Sequence, residues 1–465
     1  MILSRTLELD ENGTYAELLT VSSIAVAVFS LGLPNALNYF LPRSKDEQEK
    51  RRFINLYFVL ISVLSLVLMG AMALANRPIA AYYHNDRIIA YSYFIIIVPW
   101  TKLIISSRSN LLIAEGMVLR EIIYSVLNGL FLTLIAVFTV FFQNFFDVYI
   151  ALYVVVECVF AALVYVEAFL RTGKSISLRL NAEWIKELLV YSIPLGLSTA
   201  VSTINLDLDK LIIGFMMDEA SVAIYNNAGK ELPFSLISAS FSAVFLPLII
   251  LYVKNNKKQE AVDRWKDIME INYILLAFCV AASIAFAPQI VSFLYSAKYL
   301  AGVNIFRIYS LTLLLRITYW GMILNAFGRT QEILLNSVIC LVLNVILNVA
   351  FYFAFGFTGP AIATLISIFA IVILQIVRTS KLLKMPSRSF IPYTRFLLPT
   401  VISAASGLGV GIAVERCGVG TDGKGIITVA VIGVIWGAVY LIVFGKRILG
   451  LWRSLNLEVK ETNKE

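Results

Sequence analysis

Apolar residues fill thirteen runs of the chain, near 15–40, 53–75, 88–107, 119–142, 146–168, 187–213, 222–252, 268–294, 303–326, 331–355, 358–380, 393–414 and 425–445. A helix needs about 20 predominantly apolar residues to cross the hydrocarbon core of a bilayer. These runs are apolar on every face rather than along one stripe, as helices facing lipid are. They lack the strict alternation of a membrane-barrel strand. The pattern predicts an all-α polytopic membrane protein with thirteen transmembrane helices. The first run is too long, and its lead too poor in positive charge, for a cleaved signal peptide.

Composition sharpens this picture. Of 465 residues, 59% are hydrophobic and 15% charged, against roughly 45–50% and 25% in soluble domains. So few charges cannot cover a soluble particle of this size, which excludes a soluble enzyme, a nucleic-acid binder and a disordered scaffold. The net charge of +8 is a topological signal. Lys and Arg concentrate in alternate loops, at 43–52, 171–186, 254–266 and 378–395, and in the tail. By the positive-inside rule these are cytoplasmic, and 77–87 and 416–424 face the other side. Four Cys without CxxC spacing and a single histidine, His84, offer no disulfide framework, zinc site or His-based triad. No cofactor or metal is expected.

The chain compares with itself at an offset near 212 residues. Asp10-Glu11 matches Asp218-Glu219, Tyr15 matches Tyr225, and Leu33-Pro34 matches Leu246-Pro247. Ala114-x-Gly116 matches Ala326-x-Gly328, and Val126-Leu127-Asn128 matches Val342-Leu343-Asn344. The offset spans six helices, so the two halves share one orientation, related by an axis along the membrane normal. The run at 187–213 has no counterpart, since its partner would lie before residue 1. The expectation is therefore a missing first helix, with fourteen in the complete arrangement. The domains predicted are an N-terminal bundle (1–168), a C-terminal bundle (187–380), two extra helices (393–445) and a cytoplasmic tail (446–465).

Several stretches carry a family resemblance. SLGLPNALNYFLP at 30–42, LDLDKLIIGFMMDEASVAIYNNAGKEL at 206–232, LYSAKYLAGVNIFRIYSLTLLLR at 294–316 and the run at 324–367 resemble bacterial oligosaccharide flippases of the polysaccharide-transport (Wzx-like) family. That superfamily also holds multidrug and toxin extrusion pumps and the lipid II flippase. The resemblance implies transport of undecaprenyl-pyrophosphate-linked oligosaccharide across the cytoplasmic (inner) membrane by alternating access, for surface polysaccharide biosynthesis. It implies lipid-linked oligosaccharide as cargo, membrane lipid as surroundings, and a polysaccharide polymerase and glycosyltransferases as partners. The physics agrees: unpaired polar groups cost several kcal/mol each in hydrocarbon, so a pyrophosphate-sugar head needs a polar cavity.

Ionisable residues inside spans are functional candidates by default. Arg316 lies about 13 residues into the run at 303–326, roughly 20 Å from its outer end at 1.5 Å per residue. With Arg307 and Lys102 it forms the candidate substrate-binding set, because a guanidinium fork or an ammonium suits pyrophosphate; the competing role for Lys102 and Arg307 is snorkelling to the head-group layer. Glu157, mid-span, is a candidate ion or proton site or a partner for a buried Arg such as Arg316. Asp207, Asp209 and Lys210 close one span, and Lys230 and Glu231 open the next, as candidates for ion coupling or for charge pairing across the hairpin. Tyr39, Tyr153, Tyr191 and Tyr319 could stack on sugars. Gly407-x-x-x-Gly411 and Gly433-x-x-x-Gly437 fit close helix packing. The competing transport reading is an ion-coupled small-molecule antiporter of the multidrug extrusion type, which predicts a compact acidic cavity. A membrane-embedded enzyme would need a large extramembrane loop, and the loops here are under about 20 residues.

Overall fold

The computed structural model describes residues 2–41, 44, 46–172, 182–230, 232–255 and 257–462, and among these it is helical throughout, with no strand. Eight helical stretches are long and apolar enough to cross a membrane. Leu74, Val434 and Ile442 are 74–85% exposed, an apolar surface suited to lipid and not to water. The protein is a multi-pass membrane protein. Its residues form two units, 1–223 and 224–465.

The first unit opens with α1 (Ile2–Thr6), α2 (Leu9–Phe29) and α3 (Leu33–Phe40). Glu8 and Glu11 close a capping box at the start of α2, which meets two of the amide N–H groups a helix leaves unpaired. The predicted span 15–40 is thus two helices. Leu31 (φ 47°) and Gly32 (φ 70°) adopt left-handed backbone, and Pro34 restarts the helix at a position that needs no N–H donor. Next come α4 (Glu47–Tyr83), capped by Asp46 accepting from the Glu49 amide at 2.7 Å, α5 (Arg87–Ala90), α6 (Ser92–Ala114), α7 (Val118–Thr139), α8 (Phe145–Arg171) and α9 (Ala182–Met216). Helix α6 is central, packed on α2, α3, α4 and α8, around a core that includes Phe94, Ile104, Tyr57 and Ile150.

Helix α9 belongs to this unit, which runs to residue 223; the sequence reading opens its C-terminal bundle (187–380) with that helix. The reason is close backbone packing. A Cβ on Gly196 would lie 2.3 Å from the Leu31 carbonyl carbon and 2.4 Å from the Gly32 nitrogen. The left-handed turn between α2 and α3 therefore nests against α9 with no side chain between them.

Ion pairs knit one end of the unit. Arg108, only 10% exposed, bonds Glu167 at 2.6 Å and Glu121 at 3.4 Å and lies over the Tyr124 ring at 3.6 Å. Arg171 bonds Glu115 and Glu167, and Lys50 reaches Glu115 at 2.9 Å. Helices α4, α6, α7 and α8 are tied together by this network.

The second unit runs through α10 (Glu219–Ala228), which begins in the first unit, and then α11 (Ser235–Lys254), α12 (Lys258–Ala285), α13 (Ala287–Tyr295), α14 (Val303–Thr312), α15 (Met322–Ala326), α16 (Thr330–Phe355), α17 (Gly359–Leu383), α18 (Ser387–Phe390), α19 (Tyr393–Arg416) and α20 (Gly423–Thr462). Helices α4, α6 and α8 pack in sequence, as do α12, α14 and α17. Gly116 and Gly328, matched in the repeat, both turn with positive φ, 73° and 71°.

The predicted span 303–326 is broken, with irregular backbone at 316–321. Such backbone persists at membrane depth only where the protein supplies its hydrogen bonds. Here Asn272 donates to the Ile317 carbonyl at 2.8 Å, Trp265 to the Thr318 hydroxyl at 2.8 Å, and Trp320 to the Leu315 carbonyl at 2.6 Å. The last two long helices lie against α12. Gly407 and Gly411 face Ala281 and Ala285, and Gly437 faces Phe278, as the small-residue spacing predicts. Glu270, 4% exposed, takes Arg447 through two bonds of 2.5 and 2.9 Å and Arg395 at 2.8 Å, so one carboxylate clasps α12, α19 and α20.

Candidate functional site

A cavity of about 590 Å³ opens in the first unit between α2, α3, α6 and α9. Its wall alternates apolar residues with the hydroxyls of Ser22, Ser23, Ser30, Ser106, Thr199 and Thr203 and the amides of Asn35 and Asn110. The hydroxyls fall where they do because Ser22 bonds back to Leu18, Ser106 to Leu103 and Thr199 to Leu195. Each stays helical and still offers lone pairs to the lumen. Lys102, near the middle of α6, is the one cation in the wall among the described residues.

Its ammonium bonds Glu157 at 2.8 Å and lies 5.6 Å from the centre of the Tyr153 ring. Glu157 is fully buried at the middle of α8, and its second oxygen has no partner. Tyr15, Tyr149 and Tyr153 pack edge to face around this pair. The lysine side chain is 37% exposed, so its charge is half committed to Glu157 and half open to the lumen. Asp207 flanks the cavity, bonded to Ser23 at 2.8 Å and to Lys210 at 2.7 Å.

The structure thus brings Lys102, Glu157, Asp207 and Lys210 into the first unit around one space. Glu157 pairs with Lys102; the suggested Glu157–Arg316 pairing is corrected. Arg316 lies in the second unit, at the foot of the 3-10 turn Leu313–Leu315. It is not inside a continuous helix, so the 20 Å depth worked from helical rise does not apply. Arg316 follows Lys102 by 214 residues, close to the offset at which the sequence compares with itself. Arg307 bonds the Ile284 carbonyl at 3.4 Å and Asn304 at 3.3 Å. Asp209 is buried, with one oxygen accepting from the Lys210 amide at 3.1 Å. Lys230 reaches Asn227, three residues back, at 3.1 Å. Glu231 lies outside the described residues. Tyr39 and Tyr191 stack on each other, centroids 4.2 Å apart, and Tyr153 is buried against Tyr15 and Phe94; Tyr319 is 36% exposed.

Sequence reasoning missed the hydroxyl wall and the buried carboxylate Glu17. Single serines in an apolar run carry no signal until helix packing turns them to one lumen. Glu17, however, stood inside the predicted span 15–40 and could have been counted with the other intramembrane charges.

A bundle of lipid-facing helices around a largely apolar cavity that carries hydroxyls, amides and a single ammonium defines a membrane transporter. Known folds agree. The chain aligns with the lipid II flippase MurJ in an inward closed conformation over 96% of its length and 98% of that chain, at TM-score 0.71 and 15% identity. It aligns with an inward-facing multidrug resistance MATE family transporter of the MOP superfamily over 82% and 93%, at TM-score 0.65 and 15% identity. A MOP superfamily transporter from Pyrococcus furiosus, described by the reverse polarity of its binding pocket, aligns over 82% and 90%, at TM-score 0.54 and 14% identity. At these identities the likeness is one of fold. Residues 2–304 match the family described as polysaccharide biosynthesis protein, and the chain belongs to that family. No curated protein matches it.

Proposed function

We propose that this protein is a flippase that carries oligosaccharide linked to undecaprenyl pyrophosphate across the cytoplasmic membrane by alternating access. The observation that carries this reading is the wall of the first-unit cavity. Eight hydroxyl and amide side chains and one ammonium offer neutral hydrogen bonds to a sugar and one charge to a phosphate. A carboxylate-lined lumen, which would suit cationic drugs and favour the antiporter reading, is not what lines this space.

Lys102 is the residue proposed to meet the pyrophosphate, and Glu157 the counter-ion that holds it while the cavity is empty. An arriving phosphate competes with Glu157 for the ammonium, so cargo binding and release are each opposed by a comparable attraction. Arg316 and Arg307 are the candidate cations of the second unit. Asp207 and Lys210 close the cavity rim through Ser23; Asp209 and Lys230 are candidate charge-pairing groups around the connection from α9 to α11. Polymerase and glycosyltransferases are the proposed working partners.

The test is rescue of a strain lacking its own oligosaccharide flippase, scored by surface polysaccharide, together with accelerated flipping of a fluorescent lipid-linked oligosaccharide in proteoliposomes. Rescue and flipping by the wild-type chain, both lost in Lys102→Met at unchanged protein level, support the reading. Efflux of cationic dyes without flipping would replace it by the antiporter.

A further inference from the structure

Among the described residues, Glu17 is a buried carboxylate that the mechanism leaves unused and that has no cationic partner, unlike the ion-paired Arg108 and Glu270. Glu17 on α2 is 1% exposed. One oxygen accepts from the Asn85 side-chain amide at 2.7 Å; the other is buried without a partner. Among the described residues no Lys, Arg or His pairs with it. Arg87, the basic side chain at this end, is held by Asp10 at 2.7 Å. The titratable groups whose charges act on Glu17 or answer to it are acidic or phenolic: Glu219 from α10, and Tyr83 from α4, whose hydroxyl is buried and unpartnered. Lys210, the nearest cation on α9, is occupied by Asp207.

An isolated carboxylate cannot stay ionised in such a place on a single amide bond, since burying an unpaired charge costs several kcal/mol. It needs either a metal cation or a proton. The Asn85 amide decides between them. Its oxygen accepts from the Arg87 backbone N–H at 3.0 Å, which fixes its orientation, so its NH2 faces Glu17 and also donates to Thr14 Oγ1 at 3.0 Å. The Thr14 hydroxyl donates in turn to the Asp10 carbonyl at 2.9 Å. Glu17 is thus faced by N–H donors, and a sodium ion would need oxygen acceptors in their place. A proton on the free oxygen neutralises the carboxyl and removes the cost of burying its charge.

We propose that Glu17, with Asn85 and Thr14, is a proton-binding site at the outer end of the first unit, and that it carries the coupling proton of export. The carboxyl is neutral in the conformation seen here. It gives up its proton when the contact between α2 and the 84–87 turn opens to water, and takes one up when the contact reforms. The coupling role rests on the flippase reading; the proton site does not.

The experiment is infrared spectroscopy of the purified full-length chain in lipid nanodiscs, without cargo, at neutral pH. The C=O stretch of a protonated carboxylic acid should be present in the wild type, shift in deuterium oxide, resist added sodium chloride, and be lost in Glu17→Gln. If Glu17→Gln does not accumulate, Glu17→Asp keeps the acid and should move the band instead of removing it. A band unchanged by both substitutions, or one abolished by sodium at constant pH, overturns the site. In the deletion strain, Glu17→Gln should fail to restore polysaccharide although Lys102 is intact. Full rescue by Glu17→Gln overturns the coupling role; a wild-type chain that shows the band but does not rescue sinks the flippase reading and leaves the proton site standing.

Discussion

Replacing Lys102 by Met removes the ammonium and keeps most of the stem. In the structure this strands Glu157, fully buried, with neither oxygen carrying a charged partner. Breaking a fully buried pair from one side costs about 3–5 kcal/mol. The lysine is 37% exposed, so water already screens part of the attraction, and a loss of about 2–3 kcal/mol is the working figure. Glu157→Gln should cost less, about 1 kcal/mol, because the surviving ammonium can turn to the lumen. The double substitution removes both charges and should recover part of the single loss, a coupling of about 1–2 kcal/mol. The measurements are chemical-denaturation midpoints of the purified single and double variants, beside flipping of lipid-linked oligosaccharide in proteoliposomes. Stability should return in the double variant while transport stays lost, since the phosphate-facing charge is gone in both. Strictly additive stability losses would deny the pair, and wild-type transport by the double variant would remove Lys102 from cargo binding.

Arg316→Ala should lower surface polysaccharide at normal protein level, and Arg316→Lys should fall between, because a point charge does not reproduce the guanidinium fork; quantitative blotting beside the polysaccharide assay separates this from loss of protein. Gly196→Ala places a methyl about 2.3 Å from the Leu31 backbone and should prevent α9 from seating, by at least the 1–3 kcal/mol of an overpacked core; size-exclusion monodispersity reads it, and an unaltered profile contradicts the close contact. Glu270→Gln weakens three charge-assisted bonds to Arg395 and Arg447, of about 1.5–3 kcal/mol each at most and less for the half-exposed arginines; protease sensitivity in the 384–392 connection should rise, and unchanged cleavage would discount the clasp.

Hydropathy made the helices legible because lipid imposes length and composition on each span independently. It could not show where they break. The turn at Leu31-Gly32 is set by backbone torsion that no hydropathy window registers, and the irregular stretch at 316–321 survives because Trp265 and Asn272 reach it from α12. The same limit governs the site. Lys102 and Glu157 were each conspicuous as charges in apolar runs, but their pairing spans 55 residues and two helices, and Arg316 was an equally good partner until the fold was known. The repeat was legible through its small residues: the left-handed glycines 116 and 328 tolerate no ready replacement.

The clasp on Glu270 also orders the birth of the molecule. Ribosomes deliver the carboxylate with α12, long before its partners exist. Arg395 arrives with α19, and Arg447 later still, with α20. Until then the carboxylate has at best one of the two guanidiniums that neutralise it. A nascent chain cut short before α20 would carry an under-neutralised buried acid in its second unit, at the cost of an incompletely paired charge.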